Sequence, residues 1–443
     1  MSAKDPLANY PQAEYLKKAE MTSATGEADV RDLVAGMLRE IEEGGEAKAI
    51  EYTRKFDKWE GDILVPQDVI DAAAEKVPQR LKDDLQFAHD RVQGFAQAQL
   101  ASMSEFETEL SPGLFAGQKL IPVQTAGCYI PGGRYSHVAS AIMSVTTAKV
   151  AGVDNVIACS PPNRDGGVHP AILYTLKLAG VDQVLALGGV QGIAAMAFGL
   201  FTGHKADILA GPGNQYVAEA KRLLFGRVGI DMFAGPTEIL VISDENADPW
   251  IVATDLAGQA EHGPNSPAWL ISTSREHAEE VMRLMPDAIE SLPEPNRTSA
   301  RNAWRDYGEV IVTPSREEAV KISDDYAAEH LQVQADDPQW WLDNLRNYGS
   351  LFLGEETTVS FGDKTSGTNH ILPTKGAARY TGGLSVSKFI KTVTYQRSTR
   401  DANRDVAAVT ARISRLEGME GHARSGDVRL AKYFPDEDFE LSA

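Results

Sequence analysis

The side chains best suited to chemistry in this 443-residue chain are carboxylates, imidazoles and amides gathered in its second half. The segment Asp255-Leu-Ala-Gly-Gln-Ala-Glu-His262 has a helical pattern, which puts Gln259 and His262, three apart, on one face. Two such side chains suit a metal ion and equally suit a solvated surface helix, so they need partners. His330, His370 and His422 stand in polar, Gly-rich or acidic surroundings, whereas His89 and His277 lie in ordinary charged helices. Glu329-His330 directly precedes the strand pattern Leu331-Gln-Val-Gln. A carboxylate and an imidazole there can divide general-base work between a substrate hydroxyl and a water; a histidine simply hydrogen-bonded at a strand start is the alternative. Gly362-Asp-Lys-Thr-Ser-Gly-Thr-Asn-His370 is a polar loop able to wrap an anionic or hydroxylated ligand, or a plain solvent loop. Gly188-Gly-Val-Gln-Gly192 and Gly211-Pro-Gly-Asn214 each follow a strand pattern and open a helix. Helix amides can receive a phosphate at such places, and tight α/β turns need glycine there too. Neither is GxGxxG, and no acidic residue ends a following strand at the spacing of a dinucleotide fingerprint.

These residues need elements to hold them. From about residue 29 to 99 apolar positions recur with helical spacing, and Leu33, Met37 and Leu38 can share a face. From Gly127 onward short β-branched runs alternate with amphipathic stretches. Candidate strands are 155–159, 183–187 and 206–210, then 238–242, 268–272, 309–313, 331–334 and 350–353. That succession predicts an α/β fold with two parallel-sheet domains. Ala234-Gly-Pro-Thr237 and Tyr129-Ile-Pro-Gly-Gly133 mark the crossings between them. The expected partition is an arm at 1–27, a first domain of 28–130 plus 238–383 with the metal and catalytic residues, and a second domain at 131–237. The tail, 384–443, reads as helix followed by an extended acidic end with no sheet of its own, and must pack on something such as another subunit.

Composition excludes several classes. With 43 Lys and Arg against 63 Asp and Glu, the net charge is −20, which repels a polyphosphate backbone, so no nucleic-acid partner is expected. The 43% hydrophobic and 24% charged content excludes disorder, collagen and coiled coil. Cys128 and Cys159 stand in no CxxC or finger-like spacing, which argues against a disulfide framework or a thiolate zinc site. Residues 184–203 are uncharged over about the length of a membrane span, but Gly188, Gly189 and Gly192 interrupt them, and they read as a buried strand turning into a helix. No apolar leader follows Met1, so the expected compartment is the cytoplasm, away from any membrane.

Eight motifs occur in order: Gly127-Cys-Tyr-Ile-Pro-Gly-Gly, Gly188-Gly-Val-Gln, Ala210-Gly-Pro-Gly-Asn, Gly229-Ile-Asp-Met-Phe-Ala-Gly-Pro-Thr-Glu, Gln259-Ala-Glu-His, Ala328-Glu-His-Leu, Ser366-Gly-Thr-Asn-His-Ile-Leu-Pro-Thr and Glu417-Gly-Met-Glu-Gly-His-Ala-Arg. In wording and order the chain resembles the histidinol dehydrogenase family over nearly its whole length. The resemblance implies two incomplete Rossmann-like domains, and a homodimer that exchanges its helical C-terminal tails. It also implies NAD- and zinc-dependent oxidation of a primary alcohol through an aldehyde to a carboxylate, with one zinc per subunit. By motif position it makes Gln259, His262, Asp363 and His422 the zinc ligands, the last supplied across the dimer. Glu329 and His330 become the acid/base pair, Tyr129, Gln191 and Asn214 the NAD contacts, and Thr237, His370 and Glu417 substrate-side residues.

The chain departs from the usual biosynthetic wording at Arg134-Tyr-Ser-His-Val-Ala, after Pro-Gly-Gly, and at Ala377-Ala-Arg-Tyr-Thr-Gly-Gly, after Leu-Pro-Thr. These segments, with residues 348–356 and the ending from Asp427, resemble the sulfopropanediol 3-dehydrogenase branch. That branch takes (R)-2,3-dihydroxypropane-1-sulfonate to (R)-3-sulfolactate. An anionic substrate on a chain of charge −20 needs a local cation or several donors. Arg134, Tyr135, His137, Lys364 and Arg379, in or beside the departing segments, are the expected sulfonate group. L-Histidinol, another small polyol or amino alcohol, and a silent binding protein on the same fold are the alternatives.

Overall fold

The computed structural model describes residues 6–21, 27–132, 136–163, 166–232 and 235–442. In chain order its strands are β1 (Glu14–Lys17), the hairpin β2 (Phe106–Ser111) and β3 (Leu114–Pro122), then β4 (Thr125–Tyr129), β5 (Asn155–Ser160), β6 (Gln183–Ala186), β7 (Ile208–Ala210) and β8 (Gly229–Ile230). A second series follows with β9 (Ile239–Ser243), β10 (Ala268–Ser272), β11 (Glu309–Val312), β12 (His330–Gln334) and β13 (Ser350–Leu353), and β14 (Ile390–Ser398) comes last. Each of the eight strands expected from the sequence coincides with one of these to within two residues. Their continuous apolar runs require cover on both faces. In β9, Ile239 and Val241 face one helical layer while Leu240 and Ile242 face the other.

The chain divides into two units: Met1–Leu100 with Val123–Phe389, and Ala101–Pro122 with Ile390–Ala443. The first holds two sheets. One is all parallel in the order β6-β5-β4-β7-β8. The other runs β11-β10-β9-β12-β13, also parallel, with β1 antiparallel on the β11 edge. Numbered from its own first strand, each parallel set reads 3-2-1-4-5, a doubly wound sheet lacking its sixth strand. The expected pair of incomplete Rossmann-like domains is therefore present. Residues 184–203 are β6 running into the helix Gly189–Phe198, and no helix among the described residues is long and apolar enough to cross a membrane.

The partition differs from the expected one in three places. The helix Glu27–Phe56 buries Val34, Met37, Leu38 and Ile41, with Leu33 left 54% exposed, and packs them against Leu185, Ile193 and Leu209. Residues 30–63 thus join the five-stranded sheet, not the six-stranded one; an amphipathic pattern specifies an apolar stripe but not which sheet receives it. Residues 101–122 leave the first unit altogether, while β4 is the central strand of the five-stranded sheet. The tail also has a sheet: β14 pairs antiparallel with β3, which pairs with β2. Its Lys-Thr-Val-Thr-Tyr-Gln-Arg sequence is nearly all exposed, so it lacks the apolar run by which the buried strands are recognised. Beside that sheet the helices Asn403–Leu416 and Glu420–Tyr433 approach closely through Ala407, Ala411 and Gly426.

Candidate active site

The six-stranded sheet carries its polar residues at the N-terminal ends of β9 and β12, neighbours where the strand order reverses. Thr237-Glu238 leads into β9 and Glu329 into β12, whose first residue is His330. The two glutamates clamp each other: the Glu238 amide donates to Glu329 Oε2 at 2.9 Å and the Glu329 amide to Glu238 Oε1 at 3.3 Å. The Thr237 hydroxyl donates to Glu329 Oε2 at 2.5 Å. Glu238 and Glu329 are 4% and 6% exposed. Burial, then the charge of Glu329, pushes the Glu238 carboxyl up to about 8, so near neutrality it carries a proton. Gly349 permits this arrangement, since a Cβ there would stand 2.5 Å from the Glu329 carbonyl oxygen.

His330 is oriented by the same clamp. Its Nδ1 lies 3.0 Å from the Glu238 carbonyl, which fixes the proton on Nδ1, with Glu329 Oε2 at 3.4 Å. Nε2 is buried and has no hydrogen-bond partner; Asp363 Oδ1, at 3.6 Å, is beyond a good bond. Burial opposes charging this ring, but Glu329 and Asp363 outweigh it and hold its pKa well above the ordinary value. The site thus presents an imidazole flanked by two carboxylates, whose Nε2 is the position left for exchanging a proton with a ligand.

Gln259 and His262 come together as their spacing predicts, although the helix Pro249–Ala260 ends first and His262 sits in the following turn. Asp248 starts that helix by accepting from the Trp250 amide, with Pro249 at its first position. Gln259 Nε2 donates to Thr237 Oγ1 at 2.6 Å, leaving Oε1 as a donor atom for a metal. His262 Nδ1 is 3.2 Å from the Gln259 carbonyl, which leaves Nε2 free in the same way. Asp363, on the short helix Val359–Lys364, is nearly buried; burial would raise its pKa, but His330, His370 and Lys364 hold it well below the carboxylate range. An amide oxygen, an imidazole nitrogen and a carboxylate form a donor set that fits zinc. Among the described residues no group of three His, Cys, Asp or Glu side chains converges for a metal. Of the expected set the first unit supplies only His262 and Asp363 in those types, Gln259 being an amide and His422 lying on the second unit with Glu417.

Next to Asp363, His370 Nδ1 is 2.9 Å from the Asp363 carbonyl and its Nε2 3.0 Å from Ser140 Oγ, and burial lowers its pKa. Asn369 Nδ2 donates to the Met143 carbonyl at 2.9 Å, so the loop ending at His370 is fastened to residues that follow β4. His137 belongs there too: burial lowers its pKa to about 4, and Lys364, His370 and His262 stand near enough to add to the effect. Of the five residues expected to receive a sulfonate, His137 and Lys364 meet in this cluster. Arg379 does not join it by any hydrogen bond; its guanidinium donates to the Gly376 and Asp325 carbonyls. Arg134 and Tyr135 lie outside the described residues.

The expected NAD contacts gather at the opposite kind of edge, the C-terminal ends of β4, β6 and β7. Tyr129, buried and with its pKa raised by burial, accepts the Gly189 amide on its hydroxyl at 3.0 Å. Gln191 Nε2 donates to Asp57 Oδ2 at 2.9 Å, and the Gly188 amide donates to the same oxygen at 3.2 Å. Asn214 Oδ1 caps the helix Gln215–Leu224 by accepting from Tyr216 and Val217, so its Nδ2 is what remains for a ligand. Gly211, at φ +111°, presses so closely on the Tyr129 carbonyl that no side chain fits. Buried Lys221 and Asp231 pair beneath that turn and hold Gly211 by both its carbonyl, at 3.0 Å, and its amide, at 2.8 Å. Asp57, Lys221, Asp231, Glu238 and Asp255 had no place in the sequence reading. Three of them stood in segments already singled out: Asp231 and Glu238 in the motif 229–238, and Asp255 at the head of the segment that carries Gln259 and His262.

A family model described as histidinol dehydrogenase matches residues 20–430. The chain is 60% identical over 430 residues, 97% of this chain and 99% of its relative, to a protein of Ruegeria pomeroyi named sulfopropanediol 3-dehydrogenase. It is 60% identical over 420 residues, 95% of this chain and 98% of the other, to a histidinol dehydrogenase homolog of Pelagibacter ubique. Among solved structures, the histidinol dehydrogenase of Elizabethkingia anophelis superposes with a TM-score of 0.87 at 34% identity, covering 94% of each chain.

Proposed function

The chain belongs to the histidinol dehydrogenase family and is a dehydrogenase acting on CH–OH groups, and on that premise we propose that it oxidises the primary alcohol of (R)-2,3-dihydroxypropane-1-sulfonate to the carboxylate of (R)-3-sulfolactate. The observation that carries the chemistry is the buried His330, with Nδ1 on the Glu238 carbonyl beside Glu329 and Nε2 without a hydrogen-bond partner on the side of Asp363. The 60% identity to a sulfopropanediol 3-dehydrogenase supports the substrate.

Zinc would be held by Gln259, His262, Asp363 and His422 and would supply Lewis acidity. NAD would be held by Tyr129, Gln191 and Asn214 and would supply the hydride acceptor for both oxidations. His330 Nε2 takes the hydroxyl proton while the first C–H bond gives up its hydride, which leaves an aldehyde. Glu329 takes a proton from water as its oxygen bonds to the aldehyde carbon while His330 returns its proton to the carbonyl oxygen, giving the hydrate. His330 then takes a hydrate proton while the second C–H bond breaks, and the acid so formed, Glu329 and His330 release their protons to solvent, leaving the carboxylate. One alcohol and one water thus yield one carboxylate and two NADH. Thr237, His370 and Glu417 line the substrate, and His137 and Lys364, with Arg134 and Tyr135 on the adjoining segment, receive the sulfonate.

The protein acts as a cytoplasmic homodimer in which the second unit is exchanged, so that Glu417 and His422 complete the partner's site. In support, the helix Asn403–Leu416 leaves Val406, Val409, Ile413 and Leu416 exposed at helical spacing, an apolar stripe suited to a second copy. The test is absorbance at 340 nm with zinc and NAD, offering the sulfonate and L-histidinol in parallel. Two NADH per sulfonate and none from histidinol are expected; the reverse result refutes the substrate and leaves the chemistry standing.

A further inference from the structure

Beneath the active-centre residues lies a second polar layer. Asp255 Oδ2 accepts from Gln332 Nε2 at 2.5 Å and from Gln334 Nε2 at 2.9 Å, and its Oδ1 accepts from Thr358 Oγ1 at 3.0 Å. Each partner belongs to an element that carries a residue of the centre. Asp255 is one turn before Gln259, Gln332 and Gln334 follow His330 on the same strand face, and Thr358 precedes the helix that bears Asp363. The spacings agree. Four residues back along the helix is ~6 Å, and two along β12 is ~6.6 Å. Five along the short helix is ~7.5 Å. Gln259, His330 and Asp363 therefore form an upper level and Asp255, Gln332 and Thr358 a lower one.

The lower level has costs that packing alone does not explain. Gln332 and Gln334 are buried in a sheet interior where apolar residues suffice, and each leaves its Oε1 without a partner in order to give Nε2 to one carboxylate. Thr358 stands at the N-cap of the helix Val359–Lys364 yet makes no capping bond; its hydroxyl donates to Asp255 instead. We propose that Asp255 is a positioning residue, which sets the mutual register of the three elements that carry Gln259 and His262, His330, and Asp363. This rests on the reading of those residues as the metal and catalytic centre.

The test uses full-length protein, with cobalt(II) alone as the probe. Visible absorption of the cobalt-loaded protein reports ligand geometry, and titration gives its affinity. Asp255→Asn keeps the shape but removes the charge, and Thr358→Val removes only the strut to the Asp363 helix. Both are expected to bind cobalt at least about tenfold more weakly than wild type, with shifted bands and a kcat that falls more than KM rises. Asp255→Glu, which keeps the carboxylate, should restore part of the affinity. A lowered melting temperature with unchanged bands and affinity would make Asp255 an ordinary core residue and overturn the inference alone. Should Asp255→Asn fail to fold, Thr358→Val makes the same comparison: unchanged bands and affinity overturn the inference, and a shift supports it. A wild-type protein with no cobalt band overturns the metal reading and this inference with it.

Discussion

Replacing Glu238 with glutamine tests whether a neutral carboxyl group is built into the centre. Burial first, then the Glu329 carboxylate, raise its pKa from an ordinary 4.5 to about 8, against the opposing pull of the Lys375 and Glu329 amides and of the His330 ring. A carboxyl whose pKa is raised on folding favours the folded state fully below the unfolded pKa. That advantage is lost as pH rises from about 4.5 to about 8, because the unfolded chain ionises first. The rise is worth on the order of 5 kcal/mol over the whole window and about 3 kcal/mol at pH 7. Glutamine keeps an oxygen for both amides and cannot ionise, so Glu238→Gln should gain on wild type by up to about 1.4 kcal/mol per pH unit across that window. The assay is the difference in thermal midpoint between the two proteins from pH 5 to 9, in which shared titrations cancel. The difference should widen with pH and level off above about 8. In the same range the wild-type kcat should fall as a second charge develops beside Glu329, and the variant's should not. A difference independent of pH refutes the neutral carboxyl.

Three further outcomes follow. Glu329→Gln removes the base for the water step, so turnover to acid should fall at least about a hundredfold, and a semicarbazide trap should collect the aldehyde; acid formation at the normal rate refutes the assignment. Lys221→Met strands a buried carboxylate under the Gly211 turn, which should cost about 3–5 kcal/mol in denaturant unfolding and raise KM for NAD. Adding Asp231→Leu to it should recover much of the stability, and a neutral single variant counts against a shared buried pair. His137→Ala with Lys364→Ala should raise KM for the sulfonate at least about tenfold while changing kcat little, as read by initial rates; an unmoved KM removes both from the substrate.

The parallel strands were legible because they are covered on both sides. A run such as Ile239-Leu-Val-Ile has no polar face to disguise it. β14 and β2 are nearly all exposed and β3 is mostly half-buried, so none of them has the continuous buried apolar run that marks a covered strand. Gln259 and His262 were found by spacing even though the helix ends between them, because one turn of backbone past the helix end keeps both near the same face. Asp57 escaped for a different reason. An acidic residue was sought after a strand of the same sheet, and the structure brings it from the end of an earlier helix, 134 positions from Gln191. Asp255 is 77, 79 and 103 positions from its three partners, which no local pattern encodes. Arg379 shows the converse: it lies in a departing segment, yet nearby carbonyls take its donors.

The two sheets also divide the electrostatics. Helices in such sheets run against their strands, so an N-terminal strand edge gathers helix C-termini and a C-terminal edge gathers helix N-termini. At the six-stranded sheet the helices Pro249–Ala260 and Arg316–Tyr326 end beside Gln259, His262 and Glu329, which brings partial negative charge where the proposed cation would sit. At the five-stranded sheet the helices Gly189–Phe198 and Gln215–Leu224 begin, which brings partial positive charge to the proposed dinucleotide on a chain whose net charge is −20. Yet donors at both starts are already engaged. Asp57 takes the Gly188 amide, Tyr129 the Gly189 amide, and Asn214 the Tyr216 and Val217 amides. A glycine-rich phosphate fingerprint works by leaving such amides free. Here the helix field remains while those amides are satisfied within the protein, which accounts for glycine turns in a dinucleotide-type sheet without the GxGxxG spacing. It would also shift recognition of the proposed cofactor onto side chains, Asn214 Nδ2 among them.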